Sequence, residues 1–112
     1  HGATIGYNSM IGMNAVILDD AIIGDECIVG ALTLVNSEMV VPNRKVVVGN
    51  PGKIIKDVSD EMIAWKTEGT KIYQSLPKDC HGSLKETVPH IEMKEKSGNH
   101  YEKYKTWKRT KN

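Results

Sequence analysis

The sequence predicts an all-β fold with C-terminal helices, in which a single chain winds into a parallel β-helix of six-residue repeats. Three observations predict it. Residues 5–48 divide into sixes whose first positions, Ile5, Ile11, Ile17, Ile23, Val29, Val35, Val41 and Val47, are all Ile or Val. The fifth positions are mostly small (Ser9, Ala15, Ala21, Cys27, Thr33), and the second are often Gly (Gly6, Gly12, Gly24, Gly30). The 112 residues include no Phe although 39% are apolar, which suits a core of stacked β-branched side chains better than one of aromatics.

A six-residue period fits a short strand followed by a turn. Residues two apart in a strand share a face, so the fifth position of one unit and the first of the next point inward together. Three units make one triangular coil, and successive coils pair in parallel about 4.8 Å apart. Gly, Asn and Asp at the corners are expected to supply positive φ. The sixth positions, Met10, Val16, Ile22, Ile28, Leu34, Val40 and Val46, face outward and are all apolar. Residues 18 apart lie on one face, so every face of the prism carries an apolar stripe. Covering such stripes takes partner subunits together with the C-terminal segment, and a three-sided prism points to a homotrimer.

The repeat frays at Met39 and Lys45, where small residues are expected. Pro42 lacks a ladder donor, which suits a terminal coil. Gly49-Asn50-Pro51-Gly52 ends the sheet with turn chemistry. Ser59 reads as an N-cap with Asp60 and Glu61 in the first turn, and Gly69 as a stop, predicting a helix over 60–68. Thr70 could cap a second helix, with Tyr73, Leu76, Cys80 and Leu84 near one face and Pro77 kinking or splitting it. The domain reading is therefore 1–53 β-helix coils, 54–90 a helical segment packed on them, and 91–112 a charged tail, disordered or a short helix with Tyr101, Tyr104 and Trp107 at three-residue spacing.

Composition excludes several classes. The net charge of +1 gives no electrostatic footprint for nucleic acid, and the basic residues Lys103, Lys105, Lys108, Arg109 and Lys111 read as a solvated tail. No apolar run reaches the length of a membrane span, and there is no signal-peptide pattern. Cys27 and Cys80 have no CxxC spacing, so a reduced, cytoplasmic setting without disulfides is expected. The chain starts at His1 rather than Met, and the expectation is a β-helix truncated at its N-terminal coils.

The run HGATIGYNSMIGMNAVILDDAIIGDECIVGA resembles the γ-class carbonic anhydrase-like branch of the hexapeptide-repeat family. Ile63-Ala64-Trp65-Lys66, Gly69-Thr70, Tyr73-Gln74, Leu76, Cys80-His81, Ser83-Leu84 and Pro89 narrow the resemblance to its phenylacetate-degradation (PaaY-like) and carnitine-operon (CaiE-like) members. It covers roughly residues 1–90. It implies a left-handed coil, a homotrimer, and a divalent metal, Zn2+ or else Fe2+ or Co2+, held by three histidines shared between subunits. His1-Gly2 matches the end of the family's ligand pattern, which makes His1 the third ligand by resemblance; the other two would lie upstream, so this chain alone lacks a complete site. In such a site the metal lowers the pKa of bound water, and the implied substrates are carbon dioxide/bicarbonate or an acyl-CoA thioester.

Met13 and Asn14 could line the mouth of that site. Gly49-Asn50-Pro51-Gly52-Lys53 resembles the closing stretch of hexapeptide acyltransferases, which makes Asn50, Gly52 and Lys53 candidates for a CoA-proximal role, although turn closure alone also explains them. His81, His90 and His100 read as ordinary polar residues, Cys27 as a small inward residue and Cys80 as helix packing. Asp19, Asp20, Asp25 and Glu26 read as solvated corners rather than a carboxylate site. Three functions follow: a metal-dependent anhydrase or thioesterase, a CoA-dependent acyltransferase on the same fold, or a trimeric scaffold without activity.

Overall fold

The computed structural model describes residues 1–92 and Trp107. The chain forms two compact units, His1–Thr67 and Glu68–Asn112. Expectations placed on Tyr101, Tyr104, His100 and the basic tail residues lie outside the described residues.

In the first unit the six-residue period becomes a ladder of very short strands: β1 (Thr4–Ile5), β2 (Met10–Ile11), β3 (Val16–Ile17), β4 (Ile22–Ile23), β5 (Ile28–Val29), β6 (Leu34–Val35), β7 (Val40–Val41) and β8 (Lys45–Val48). Each pairs in parallel with a strand eighteen residues away, as in Ile5 with Ile23, Ile11 with Val29 and Ile17 with Val35. Three sheets result: β1-β4-β7, β2-β5-β8 and β3-β6. They are the first, second and third faces of a three-sided coil. Backbone bonds between coils recur at each side, for example Gly6 N–H to the Ile23 carbonyl at 2.7 Å and Gly12 N–H to that of Val29 at 2.8 Å.

The core is the stack of first and fifth positions. Ile23, Val29, Val35, Val41 and Val47 are fully buried with Ala21, Cys27 and Thr33. The Cys27 thiol sits 3.1 Å from the Pro42 carbonyl, so the inward role read for Cys27 holds. Burial runs down toward one end: Ile23 is 1% exposed, whereas Ile5, eighteen residues earlier on the same face, is 49% exposed. The first coil thus presents inward side chains and unpaired strand edges.

The corners obey a rule different from the expected one. The positive-φ residue is the fourth of each unit, Asn8, Asn14, Asp20, Glu26, Leu32, Glu38 and Arg44, at φ of 50–61°. The repeated glycines of the second position do not supply positive φ. They are glycine because the next coil passes too close: a Cβ on Gly12 would lie 2.4 Å from the Ala31 nitrogen. Pro42 falls in the same second position just after β7, the last strand of the first face, where no further coil needs its N–H.

At the far end the Gly49–Gly52 turn, with a cis Asn50–Pro51 bond, reverses the chain into β9 (Lys53–Asp57). This strand, absent from the sequence expectation, pairs antiparallel with β8 and extends the second face. The repeat also does not fray as expected. Met39 packs against the core, and Lys45 reaches out of the last coil to pair with Asp57.

The helix α1 (Asp60–Ser83) follows. Ser59 caps it as expected, its Oγ accepting the Met62 N–H at 3.3 Å. The predicted stop at Gly69 and break at Pro77 do not occur. Gly69 is buried within the helix, and Pro77 removes one backbone bond without ending a run of 24 residues. Val58, Met62 and Ile63 cover Met10, Ile28 and Val46, so the chain's own C-terminal segment closes the second face. In the second unit the face expected to pack is mostly exposed, including Tyr73, Cys80 and Leu84; Cys80 is therefore not a packing residue.

Candidate functional site

Each corner of the prism is a column of stacked turns. His1, Asp19 and Ser37 occupy the third position on one corner, with Gly2, Asp20 and Glu38 beside them. The Asp20 N–H donates to the His1 carbonyl at 3.1 Å, which fixes this stacking. The His1 ring is exposed, with Nδ1 3.8 Å from an Asp19 carboxylate oxygen. Among the described residues no three histidine, cysteine or acidic side chains gather where they could share an ion. Of the three histidines that the resemblance implies, His1 is the one found in the coils, and the set is incomplete among the described residues.

The next corner holds Tyr7, Asp25 and Asn43, with Asn8, Glu26 and Arg44 beside them. The side chain of each third position holds the turn of the coil before: Asp25 Oδ1 accepts the Tyr7 N–H at 2.6 Å, and Asn43 Oδ1 accepts the Asp25 N–H at 2.9 Å. Arg44 pairs with Asp60 and lies 3.6 Å from Glu26, and Lys45 pairs with Asp57. The Asp60 hydrogen bond raises the Arg44 pKa, against an opposing effect of burial, and the Lys45 hydrogen bond holds Asp57 below the usual carboxylate range. An open depression lined by Asn43, Arg44, Asp57, Val58, Ser59 and Asp60 lies here. Its charges satisfy one another, so it reads as a fastening between the last coil and the start of α1. Asp19, Asp20 and Asp25 are exposed turn residues, as expected.

The third corner gathers the remaining candidates. Met13 and Asn14 begin it, and the Met13 carbonyl accepts the Leu32 N–H at 3.0 Å. The Gly49–Gly52 turn closes it over the end of β6: Gly49 O accepts the Leu34 N–H at 2.9 Å, and the Gly52 N–H donates to Leu34 O at 2.7 Å. Met13, Asn14, Asn50 and Lys53 are all exposed along this edge. Gly52 is buried, and a Cβ there would meet Leu34 O at 2.7 Å, so its role is turn closure. Within one chain His1 lies on a different corner from Met13 and Asn14.

Leu32 was not singled out from the sequence. It is the only apolar residue among the seven positive-φ corners of the repeat, at φ 58°, and it is 71% exposed. A bulky side chain in the left-handed region, turned to solvent next to Met13, contributes nothing to the core and strains the backbone. The signal available was its misfit: Asn, Asp, Glu or Arg fills every equivalent position. His81 and His90 are exposed, outside the coils. None of the described helices is long and apolar enough to cross a membrane.

The comparisons with known proteins agree with this geometry at the level of the repeat. The carnitine operon protein CaiE of Escherichia coli O7:K1 is 42% identical over 52 residues, which is 46% of this chain and about a quarter (26%) of that protein's length. A hexapeptide transferase family protein from Anaplasma phagocytophilum shares the fold, with a TM-score of 0.65 at 23% identity over 73% of this chain and 48% of that one. A putative acetyltransferase from Bacillus cereus is 30% identical with a TM-score of 0.52, over 66% of this chain and 47% of that one. Residues 2–37 match the family model described as bacterial transferase hexapeptide (six repeats).

Proposed function

We propose that the protein works as a homotrimer built on a left-handed coil, and that it binds an acyl-CoA thioester along the Met13–Leu32–Lys53 edge to transfer its acyl group to an acceptor. The carrying observation is that edge. Leu32 and Met13 offer an apolar rail, Asn50 offers amide hydrogen bonds, and Lys53 offers a cation suited to the phosphates of CoA. The edge borders the third face, where Val16 is 50% exposed. The first face is likewise open, with Ile22 45% and Val40 60% exposed. These two uncovered faces share the His1 corner. A head-to-tail ring that sets the first face of one chain on the third face of the next covers both and closes. It also brings the Tyr7 corner of the next subunit beside the Leu32 edge, forming a cleft between chains. The Bacillus cereus structural neighbour, a putative acetyltransferase, supports transfer as the chemistry.

A second reading rests on His1 and Asp19. A carboxylate beside a ring nitrogen orients an imidazole for metal binding, and CaiE is the sequence relative. In this reading the protein is γ-carbonic anhydrase-like or a PaaY-like thioesterase, with Zn2+, Fe2+ or Co2+ bound between subunits and His1 as one ligand.

Calorimetric titration of the protein with acetyl-CoA, together with metal analysis, separates the readings. Transfer predicts saturable CoA binding weakened about tenfold by Leu32→Asn or Lys53→Ala, unaffected by chelator. The metal reading predicts about one ion per subunit, lost in His1→Ala. A folded protein with neither ligand is a scaffold, and both readings then fail.

A further inference from the structure

All three faces of the prism carry the same outward chemistry, because every sixth position of the repeat is Ile, Val, Leu or Met. Among the described residues only one is closed by the chain itself. On the second face Ile28 and Val46 are 6% and 5% exposed beneath Val58, Met62 and Ile63. The segment that covers them is fastened at both ends of the coil stack. At the last coil the Val58 N–H donates to the Arg44 carbonyl at 2.8 Å, and Arg44 pairs with Asp60. At the first coil Lys66 Nζ donates to the Asn8 carbonyl at 2.7 Å and to the Asn8 side-chain oxygen. The Asn8 amide in turn lies 3.4 Å from Thr67 Oγ1.

Lys66 is buried, which is costly for an ammonium. Simple apolar packing of α1 would not need it. Asn8 is the positive-φ corner of its unit, so the carbonyl that receives Lys66 is rigidly placed by the repeat. The tie therefore sets the direction of α1 across the face rather than adding apolar contact.

We propose that the first two turns of α1 are an assembly stop. By occupying one of three chemically equivalent faces, tied down by Lys66 on Asn8, they limit self-association to the two open faces and so hold the protein to a closed ring. Without the tie, the Met10–Ile28–Val46 stripe becomes a third adhesive face for a second copy of this chain, and rings join into larger assemblies. The inference rests on the reading of the open faces as subunit contacts.

Sedimentation velocity over a concentration series tests it on the whole protein and on Lys66→Ala. Lys66→Met, which keeps the apolar stem and drops the ammonium, carries the same comparison if Lys66→Ala unfolds. The expected result is one trimer species for the unaltered protein and concentration-dependent larger species for the variant. Met10→Lys added to the variant places a charge on the freed stripe and returns it to the trimer. A folded variant of unchanged mass at every concentration overturns the assembly stop. A folded, monomeric unaltered protein whose Lys66 variant associates overturns the trimer reading and leaves the stop standing. If both stay monomeric, both ideas fail.

Discussion

The ammonium of Lys66 rests on the carbonyl of Asn8, 2.7 Å away and 58 residues earlier in the chain. One residue belongs to the helix and the other to a corner of the first coil, so this contact joins the two kinds of structure in the first unit. Burial pushes the Lys66 pKa below the ordinary lysine value of 10.5, and Glu26 draws it partly back. The folded state thus binds the Lys66 proton more weakly than the unfolded chain does. Stability must then rise as pH climbs from below the lowered folded value toward 10.5, because the unfolded chain holds more protons across that window. Urea melts of the protein and of Lys66→Met between pH 8 and 11 should show the unaltered protein gaining stability relative to the variant. A difference that is flat, or that falls with pH, contradicts the buried-charge account.

Burial along the coil predicts a gradient of mutational cost. Ile23→Ala removes a side chain that is 1% exposed and should cost about 2–5 kcal/mol. Ile5→Ala, on the same face of the open first coil, should cost less than half as much. Equal costs in urea denaturation would mean that another element covers Ile5 in solution.

The second-position glycines give a sharper test of the corner rule. Gly12→Ala should destabilise by more than about 2 kcal/mol, because its Cβ would meet the Ala31 backbone at 2.4 Å. Asn14→Gly, two residues on at φ 56°, should be close to neutral. Thermal melts of the two variants should separate clearly, and in that order.

Leu32 separates stability from function. Leu32→Asn replaces a strained apolar residue with one that tolerates positive φ, and should stabilise the fold by about 1 kcal/mol. The same change should weaken acyl-CoA binding. A variant that gains stability and keeps full affinity for acetyl-CoA removes Leu32 from the site.

The repeat was legible because period six leaves its mark at every unit: the Ile or Val of the first position and the small residue of the fifth are what a narrow prism requires. The corner chemistry was half legible. Asn14 and Asp20 announce positive φ by type, but Glu26 and Arg44 adopt it only because the coil forces them to. The glycines were misassigned because close approach between residues 18 apart is invisible in local sequence. Gly69 and Pro77 are breakers by propensity, yet neither interrupts α1, where the loss of one backbone bond at Pro77 is outweighed by the continuity of the helix on either side. Of the proposed site, the sequence offered Met13 and Asn14 as the mouth of a metal site and Asn50, Gly52 and Lys53 as CoA-proximal residues. That they share an edge emerges only when the third corner is stacked, and Leu32 completes it.

The central claim is that the two open faces are subunit contacts. Sedimentation equilibrium of the protein and of Val40→Asp, which charges a 60% exposed position on the first face, tests it directly. The account predicts a mass of three chains for the unaltered protein and a folded single chain for the variant. A folded monomer of the unaltered protein at tens of micromolar, or a trimer undisturbed by Val40→Asp, would contradict it.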